Sequence, residues 1–355
     1  MIVDRYYYHQ LNKKEQAIYK AFYNGVMAYQ EIIPIPVSGE FTHNSFEHIF
    51  MALTRDNPLI YFLNQSACSI AHDIFGHIAI CPQYFFSKEK IKEYSRKIEK
   101  VVNELAGKLH LLECSDYEKE LRVHDWICQN VAYDYEGTDK DKVSRVIASH
   151  NILGVFAYHK AQCEGIAKAV KILCDALQIW CIIALAENNP ERGVKYRHAW
   201  NVVRLDKKYY HLDCTFDLSL GNPEEIRYDY FLLSDKQIFR DHERLVWRVP
   251  ACEDADRFYY KKKKLSFTKT EEVQKRAAQA VKKGKPLLFH WRGGYMTREI
   301  VQEFLRIFKE EAAKKEKFAQ VSLNWAQAIV KVRFIEQLPT QELTMEEANE
   351  GEKEE

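Results

Sequence analysis

The sequence predicts an α+β fold in which a helix that begins at a cysteine packs on an antiparallel sheet, flanked by small N- and C-terminal α/β units. Three observations predict it. An amphipathic helix pattern begins at Cys163. Strand patterns follow over residues 179–186, 198–204 and 209–215, and the last two are close enough to form a hairpin. Beyond Pro250, strand and helix patterns alternate as in a small α/β sandwich.

The size and charge of the chain limit its class. It has 355 residues, which exceeds one typical domain, and 46% of them are hydrophobic. The 52 basic and 51 acidic residues nearly cancel, so no overall field attracts nucleic acid or an anionic membrane. No apolar run approaches the ~20 residues that span a bilayer, and the first residues lack the apolar region of a signal peptide. We therefore expect a cytoplasmic protein with neither nucleic acid nor a membrane as partner.

The cysteines indicate the redox compartment. There are nine, an odd number, without a CxxC pair or the cysteine and histidine spacing of a zinc site. Extracellular proteins usually carry an even, patterned set, so this one favours a reducing compartment in which most thiols lie in the core. Clustered carboxylates that would bind calcium are not apparent in the sequence. The sequence thus predicts neither a metal nor another cofactor.

Residues 1–110 are predicted to form an N-terminal α+β domain. Asn12 and Glu15 have the spacing of a capping box ahead of a helix with one apolar face. An Asn-Pro step at Pro58 ends a second helix. The predicted elements are helices over residues 11–30 and 44–54, strands over 59–63 and 76–81, and a long amphipathic helix over 87–110.

Residues 111–250 are predicted to form a second domain. Ser115 and Glu118 make another capping box, and a polar loop follows their helix. In the helix at Cys163 the apolar positions predict the buried face, whereas Lys168, Lys171 and Asp175 are predicted to lie outside.

The remainder of the chain has a different pattern. Residues 255–335 alternate strand, helix, strand and helix before two final strands, and they are predicted to form a small C-terminal α/β domain. Residues 336–355 are acidic and lack apolar periodicity, which predicts a disordered tail.

Three polar residues have positions suited to nucleophilic catalysis. Cys163 is at the first turn of its helix, where unpaired N–H groups and the helix dipole favour a thiolate. If residues 206 and 207 form the hairpin turn, paired residues have numbers that sum to 413, and His198 and Asp213 become diagonal neighbours on one face. His198 could then take the thiol proton while Asp213 orients the imidazole.

An oxyanion hole requires a second donor beside the backbone N–H of Cys163. His150, Asn151 and Gln162 are the candidates, and Asn151 is favoured because a neutral amide donates at any pH. Trp200 lies on the predicted face of the triad, where it could exclude water.

The stretches "QCEGIAKAVKILCDALQI" and "YRHAWNVVRLDKKYYHLDCTFD" resemble the core of the transglutaminase-like superfamily, which has a cysteine opening a helix, a histidine in H-A-W and an aspartate in a D-x-T strand. "WICQNVAYDYE" resembles the helix and loop before that core, so the likeness covers roughly residues 115–220. "YYYHQLNKKEQAIYKAF" and "ALTRDNPLIYFL" resemble the leading region of bacterial proteins with this domain. The chain departs from many members at Ala161, Gln162 and Ile166, which leaves the triad intact.

The resemblance implies a papain-like fold and acyl transfer by Cys163, His198 and Asp213. We expect an enzyme that acts on amide bonds of peptides or proteins through a thioester. Hydrolysis is favoured, since calcium ligands and the additional β-domains of crosslinking members are not apparent in the sequence. The alternatives are a crosslinking transglutaminase that acts on protein glutamines, and a non-catalytic adaptor that binds a protein with the same fold.

Overall fold

The computed structural model describes residues 5–37, 41–110, 114–136, 148–194 and 197–337. Their contacts divide the chain into two compact units, Met1–Tyr259 and Tyr260–Glu355. The predicted division between residues 1–110 and 111–250 therefore falls inside the first unit. The tail predicted to be disordered begins at 336, and almost all of it lies outside the described residues.

The first unit combines helices with three small sheets. Its described helices are α1 (Lys13–Met27), α2 (His43–Asp56), α3 (Lys88–His110), α4 (Asp116–Asn130), α5 (Ile152–Phe156), α6 (Cys163–Ala176), α7 (Cys214–Leu220) and α8 (Asp235–Ile238). Its described strands are β1 (Ile33–Pro34), β2 (Ser69–His72), β3 (Ile78–Cys81), β4 (Ala132–Tyr133), β5 (Lys160–Ala161), β6 (Trp180–Leu185), β7 (Ala199–Leu205), β8 (Lys208–Leu212) and β9 (Phe231–Leu233).

The largest sheet of this unit has the order β6-β7-β8-β9 and is antiparallel throughout. Helix α6 packs on β6 and β7, as the sequence predicts. A second sheet has the order β1-β3-β2, and β4 pairs with β5 in parallel. The structure thus has the predicted α+β class, with the cysteine helix on an antiparallel sheet.

Local sequence signals explain where the helices begin. Both predicted capping boxes are present: Asn12 exchanges hydrogen bonds with Glu15 ahead of α1, and Ser115 does so with Glu118 ahead of α4. The prediction of a strand over residues 59–63 is wrong. That segment forms turns with one isolated bridge at Leu63, and it is apolar because it is mostly buried rather than extended.

Hydrogen bonds connect helix α2 to the β6-β7-β8-β9 sheet through Tyr7, within the first unit. Asp56 at the end of α2 accepts backbone N–H groups from Tyr7 and Tyr8 at 3.0 and 2.9 Å. The Tyr7 hydroxyl in turn donates to the backbone carbonyl of Ile183 in β6.

One prediction for the face of α6 is also wrong. Lys171 is 1% exposed, and its ammonium group donates to Asp175 and to the carbonyl of Cys181. The charged pair is buried because its hydrogen-bonding capacity is satisfied inside the protein.

The second unit has the predicted alternation of strands and helices. A short helix, α9 (Tyr259–Lys262), spans the boundary, and the following elements are β10 (Ser266–Phe267), α10 (Thr270–Lys283), β11 (Leu287–Trp291), α11 (Arg298–Ala313), β12 (Phe318–Asn324) and β13 (Ile329–Ile335). The sheet order is β10-β11-β13-β12, with only β10 and β11 parallel. Its core includes Phe289, Phe304 and Phe308.

Candidate active site

Cys163 is the first residue of α6 and is half-buried. Strand β5 ends two residues earlier, and Gln162 is the extended N-cap that turns the chain into the helix. A Cβ atom on Gly165 would lie 2.5 Å from the carbonyl oxygen of Ser149 and 2.9 Å from that of Asn151. Glycine at 165 is therefore required by the neighbouring backbone, which fixes the first turn of the helix at Cys163.

The hairpin that carries the other two residues has the predicted register. Every paired position of β7 and β8 sums to 413, from Asn201 with Leu212 to Leu205 with Lys208. The turn residues at 206 and 207 have φ values of 50° and 65°, the geometry of a two-residue turn whose twist matches that of the strands. This register places His198 and Asp213 at one end of the hairpin.

His198 contacts both partners that the sequence predicts. Its Nε2 lies 2.7 Å from Oδ2 of Asp213, and its side chain is 20% exposed. The Cys163 thiol lies close enough to His198 to raise the pKa of its imidazole. Because Nε2 faces the carboxylate, Nδ1 is the nitrogen available to the sulfur. The three predicted triad residues are thus brought together.

Asp213 organises the site and begins a helix at the same time. Its Oδ1 accepts the backbone N–H groups of Thr215 and Phe216 at 2.9 and 3.1 Å, which makes it the N-cap of α7. Its Oδ2 faces His198 and, at 2.9 Å, Nε2 of His242. The strand predicted over 209–215 therefore ends at Leu212, because the aspartate side chain caps a helix there.

Asp213 and His198 stabilise each other in their charged forms. Burial raises the pKa of Asp213, but the His198 charge and the hydrogen bonds from His198 and His242 lower it further, so the net shift is downward. Burial lowers the pKa of His198, while the charge and hydrogen bond of Asp213 and the neighbouring Cys163 raise it to about 10. His198 is therefore an imidazolium at neutral pH, beside the sulfur.

Trp200 forms a wall of the site. Its indole stacks on His198 with ring centroids 5.7 Å apart and an angle of 20° between the rings, and it is 1% exposed. Its Nε1 donates to Nδ1 of His211 at 2.9 Å. The ring of Phe216 packs against the imidazole of His198, with the ring centroids 4.8 Å apart. These aromatic rings exclude water from part of the imidazole surface.

The predicted oxyanion candidates take part in local structure. The side-chain oxygen of Asn151 accepts the backbone N–H of Leu153 at 2.8 Å and caps α5. The amide of Gln162 donates to the carbonyl of Asp134 at 3.1 Å. The carbonyl of His150 accepts from a lysine, and burial lowers the pKa of its imidazole. These bonds account for the burial of Asn151 and Gln162, and the role of all three in catalysis stays a prediction.

Sequence reasoning missed Tyr133. In the parallel β4–β5 pair it lies opposite Ala161, two residues before Cys163. Burial first, and then the charge of Cys163, raises the pKa of Tyr133 to about 12, so its hydroxyl keeps its proton. The signal was present in the motif "NVAYDYE", where the sequence reads as a loop rather than a strand that pairs beside the cysteine.

Two groups among the described residues bring possible metal ligands within 4.8 Å of one another. The first is His198, Asp213 and His242, which the hydrogen bonds above already connect. The second is His211, Asp235 and Cys252. There Nδ1 of His211 accepts from Trp200, so Nε2 carries the proton and donates to Asp235 at 2.7 Å, which leaves neither nitrogen free for a cation. The sequence-based prediction that no metal is needed stays a prediction.

Comparisons with known proteins agree with this geometry. Residues 103–214 match the profile of the transglutaminase-like superfamily. The Kyphoscoliosis peptidase of Mus musculus is 23% identical over 154 residues, which cover 40% of this chain and 23% of the relative. The chain thus spans about a quarter of that curated relative.

Two solved structures are more distant. A structure entitled a TGase is 17% identical, with a TM-score of 0.29, covering 52% of this chain and 50% of that one. A putative cysteine protease from Cytophaga hutchinsonii is 14% identical, with a TM-score of 0.26, covering 42% of this chain and 61% of that one. The matched segment 103–214 contains Cys163, His198 and Asp213 in the expected order, and it is this segment that is similar to the transglutaminase-like superfamily.

Proposed function

We propose that this protein is a cysteine hydrolase that cleaves amide bonds of peptides or proteins through a thioester on Cys163. The observation that carries the proposal is the position of His198, which is hydrogen-bonded to Asp213 at 2.7 Å and lies close enough to Cys163 for the thiol to raise its pKa. A nucleophile, a base and an orienting carboxylate in this order are the minimum for covalent acyl transfer.

The reaction begins when the sulfur of Cys163 attacks the amide carbon and the thiol proton is held by His198. Collapse of the tetrahedral intermediate forms the C–S bond of the thioester and breaks the C–N bond. The amine leaves with the proton from Nδ1 of His198. Water then attacks the thioester carbon and gives its proton to His198. Collapse of this second intermediate breaks the C–S bond, releases the acid, and leaves the Cys163 sulfur and the proton on His198 as at the start.

The developing oxyanion requires donors that point at it. The backbone N–H of Cys163 is one, since the first N–H groups of a helix have no partner within the helix. We propose the hydroxyl of Tyr133 as the second, because β4 holds this side chain beside the residues that lead into Cys163. Its raised pKa keeps the hydroxyl a donor at neutral pH.

Peptides or proteins are proposed as substrates because the mouse relative is named a peptidase and the triad suits amide chemistry. All nine cysteines are free, which is consistent with the reducing environment of the cytoplasm. No helix among the described residues is sufficiently long and apolar to cross a bilayer.

Cysteine mapping tests the nucleophile. The full chain is incubated near neutral pH with limiting iodoacetamide, and modified peptides are quantified by mass spectrometry. We expect alkylation of Cys163 before Cys81 and Cys114, which are also half-buried and serve as internal controls. In His198→Ala this preference should disappear. If Cys163 reacts no faster than the two control thiols in the wild type, it is not an activated nucleophile, and an adaptor role replaces the hydrolase.

Product analysis then separates hydrolysis from crosslinking. The enzyme is incubated with a peptide library containing glutamine, with and without an added primary amine. Hydrolysis yields new peptide termini or glutamate whether or not the amine is present. A product in which the amine has replaced the leaving group as the main species would contradict hydrolysis and identify a transamidase.

A further inference from the structure

A second histidine contacts the triad carboxylate. His242 follows α8 in the chain, and its side chain is 1% exposed. Its Nε2 lies 2.9 Å from Oδ2 of Asp213, the same oxygen that faces Nε2 of His198 at 2.7 Å. The carboxylate is thus held between two imidazoles on one oxygen and two backbone N–H groups on the other.

The other nitrogen of His242 also meets a carboxylate. Its Nδ1 lies 2.8 Å from Oδ1 of Asp241, and Oδ2 of Asp241 accepts the hydroxyl of Tyr230 at 2.6 Å. An ionised carboxylate accepts hydrogen bonds and cannot donate them, so both ring nitrogens of His242 carry protons. His242 is therefore a buried imidazolium between two aspartates.

The surroundings of His242 agree with that charge state. Burial lowers the pKa of His242, but the hydrogen bonds to Asp213 and Asp241 and the charge of Asp213 raise it overall. Two other histidines face His242. The ring centroids of His198 and His242 are 5.4 Å apart, and the charge of His242 lowers the pKa of His211. The charge of His198 opposes the charge on His242, so the two carboxylates are what sustain it.

We propose that His242 is a positioning residue of the reaction: it fixes the carboxylate of Asp213 and offsets its negative charge, so that His198 can release its proton during thioester hydrolysis. This inference rests on the proposed function. In the acyl-enzyme the sulfur is part of the thioester and no longer stabilises the protonated imidazole of His198. Asp213 is then the main group that stabilises it. His198 must be neutral to take a proton from the attacking water.

Without the positive charge of His242, the full charge of Asp213 would act on His198. The imidazolium of His198 would then persist to higher pH, and the fraction of neutral base at a given pH would fall. A shift of one pH unit corresponds to about a tenfold fall in that fraction. Removing the carboxylate of Asp241 should also raise the pKa of His198. It lowers the proton affinity of His242 and so reduces the positive charge beside Asp213.

The variant His242→Gln separates charge from contact, since its amide can still donate to Asp213 but carries no charge. Asp241→Asn removes the second carboxylate. Asp235→Asn is the control: it alters another aspartate–histidine pair, with the buried His211, that makes no hydrogen bond to Asp213. Circular dichroism and thermal melting establish that each full-length variant is folded before it is used.

The first readout needs no substrate. In a Cys163→Ala background, which removes the sulfur partner, the His198 ring is followed by NMR against pH and assigned with His198→Gln. We expect His242→Gln to raise the pKa of His198 by about one unit or more, Asp241→Asn to raise it less, and Asp235→Asn to leave it unchanged. An unchanged titration of His198 in His242→Gln would overturn the inference.

The second readout is the pH dependence of deacylation on enzyme with Cys163. The acidic limb of this rate should move upward by the same amount in His242→Gln, with KM unchanged. A uniform loss of rate at every pH would assign His242 a purely structural role. If the wild type neither forms an adduct at Cys163 nor turns over while the NMR shift is present, the proposed function fails, although the coupling of the two histidines is real.

Discussion

Asn201 in β7 donates its side-chain amide to the backbone carbonyl of Ala167 in α6, at 2.9 Å. Strand β7 begins one residue after His198, and α6 begins at Cys163, so this buried bond joins the two elements that position the proposed base and nucleophile. His198 is close in sequence to Asn201, and Cys163 is close in sequence to Ala167. The distance between Cys163 and His198 thus depends on an amide that takes no part in the proposed chemistry.

Replacing Asn201 with Ala should lower both stability and activity. The substitution leaves the carbonyl of Ala167 buried without this donor, at a cost of about 1–3 kcal/mol in the free energy of unfolding. Urea denaturation measures that loss, and hydrolysis assays should show a fall in kcat. Asn130→Ala is the control, because Asn130 is exposed and donates a similar bond to Trp126; it should change stability by less than about 0.5 kcal/mol. Equal effects of the two variants would contradict a structural tie through Asn201.

Replacing Tyr133 with Phe tests the proposed second oxyanion donor. The ring and its packing are retained, so we expect kcat to fall by about 10²- to 10³-fold with little change in KM. Tyr135→Phe provides the comparison: its ring contacts Tyr133 at 4.9 Å, but it is 74% exposed. Steady-state kinetics of both variants distinguish the roles. A Tyr133→Phe enzyme with wild-type kcat would exclude its hydroxyl from the transition state.

Glu120 should make stability depend on pH. It is fully buried in α4 beside the thiol of Cys174, and burial raises its pKa to about 7 from the usual 4.5. A carboxyl with a raised pKa in the folded state contributes stability that is complete below pH 4.5 and is lost as pH rises through 7. In that window the native state binds more protons than the unfolded chain.

Glu120→Gln removes this titration while keeping the shape of the side chain. The slope of unfolding free energy between pH 4.5 and 7 should become flatter, and above pH 7 the variant should be more stable than the wild type, by on the order of 3 kcal/mol at most. Urea denaturation at a series of pH values measures it. Glu99→Gln, at an exposed position of α3, should leave the slope as it is. A wild-type slope in Glu120→Gln would mean that Glu120 is ionised in the folded protein.

Two helical glycines should respond in opposite ways to alanine. At Gly165 an added Cβ would lie 2.5 Å from the Ser149 carbonyl, so we expect a loss of about 1–3 kcal/mol and slower alkylation of Cys163. At Gly107 in α3 nothing lies within 4 Å of the added atom, and alanine should stabilise by about 0.5–1 kcal/mol. Thermal melting compares them. Tolerance of alanine at 165 would show that the first turn of α6 can shift.

The hairpin was predictable because its register follows from one short turn. Once residues 206 and 207 are placed at the turn, the alternation of strand side chains determines which positions share a face. The helix at Cys163 was predictable for a similar reason, since its apolar residues recur at a regular interval. Both signals are local and periodic.

Contacts made by irregular segments were not predictable in this way. His242 is 29 residues beyond Asp213, in a segment without periodicity, so nothing in its spacing indicates a bond to the triad. Lys171 has the sequence appearance of an exposed charge, and only the tertiary partners at Asp175 and Cys181 explain its burial. Asp213 follows the alternation of a strand in the sequence, and only the backbone N–H groups that its side chain accepts show that it is the N-cap of α7.

The double duty of Asp213 has an evolutionary consequence. Its loss would remove the cap of α7 and the anchor of two histidines together, so selection for a folded protein retains it even where catalysis is no longer selected. The side chain of Cys163 has no comparable structural role, because the start of its helix is determined by the close packing of Gly165 and by the extended N-cap Gln162. Sequences derived from this chain that no longer need the proposed activity should therefore lose Cys163 before Asp213.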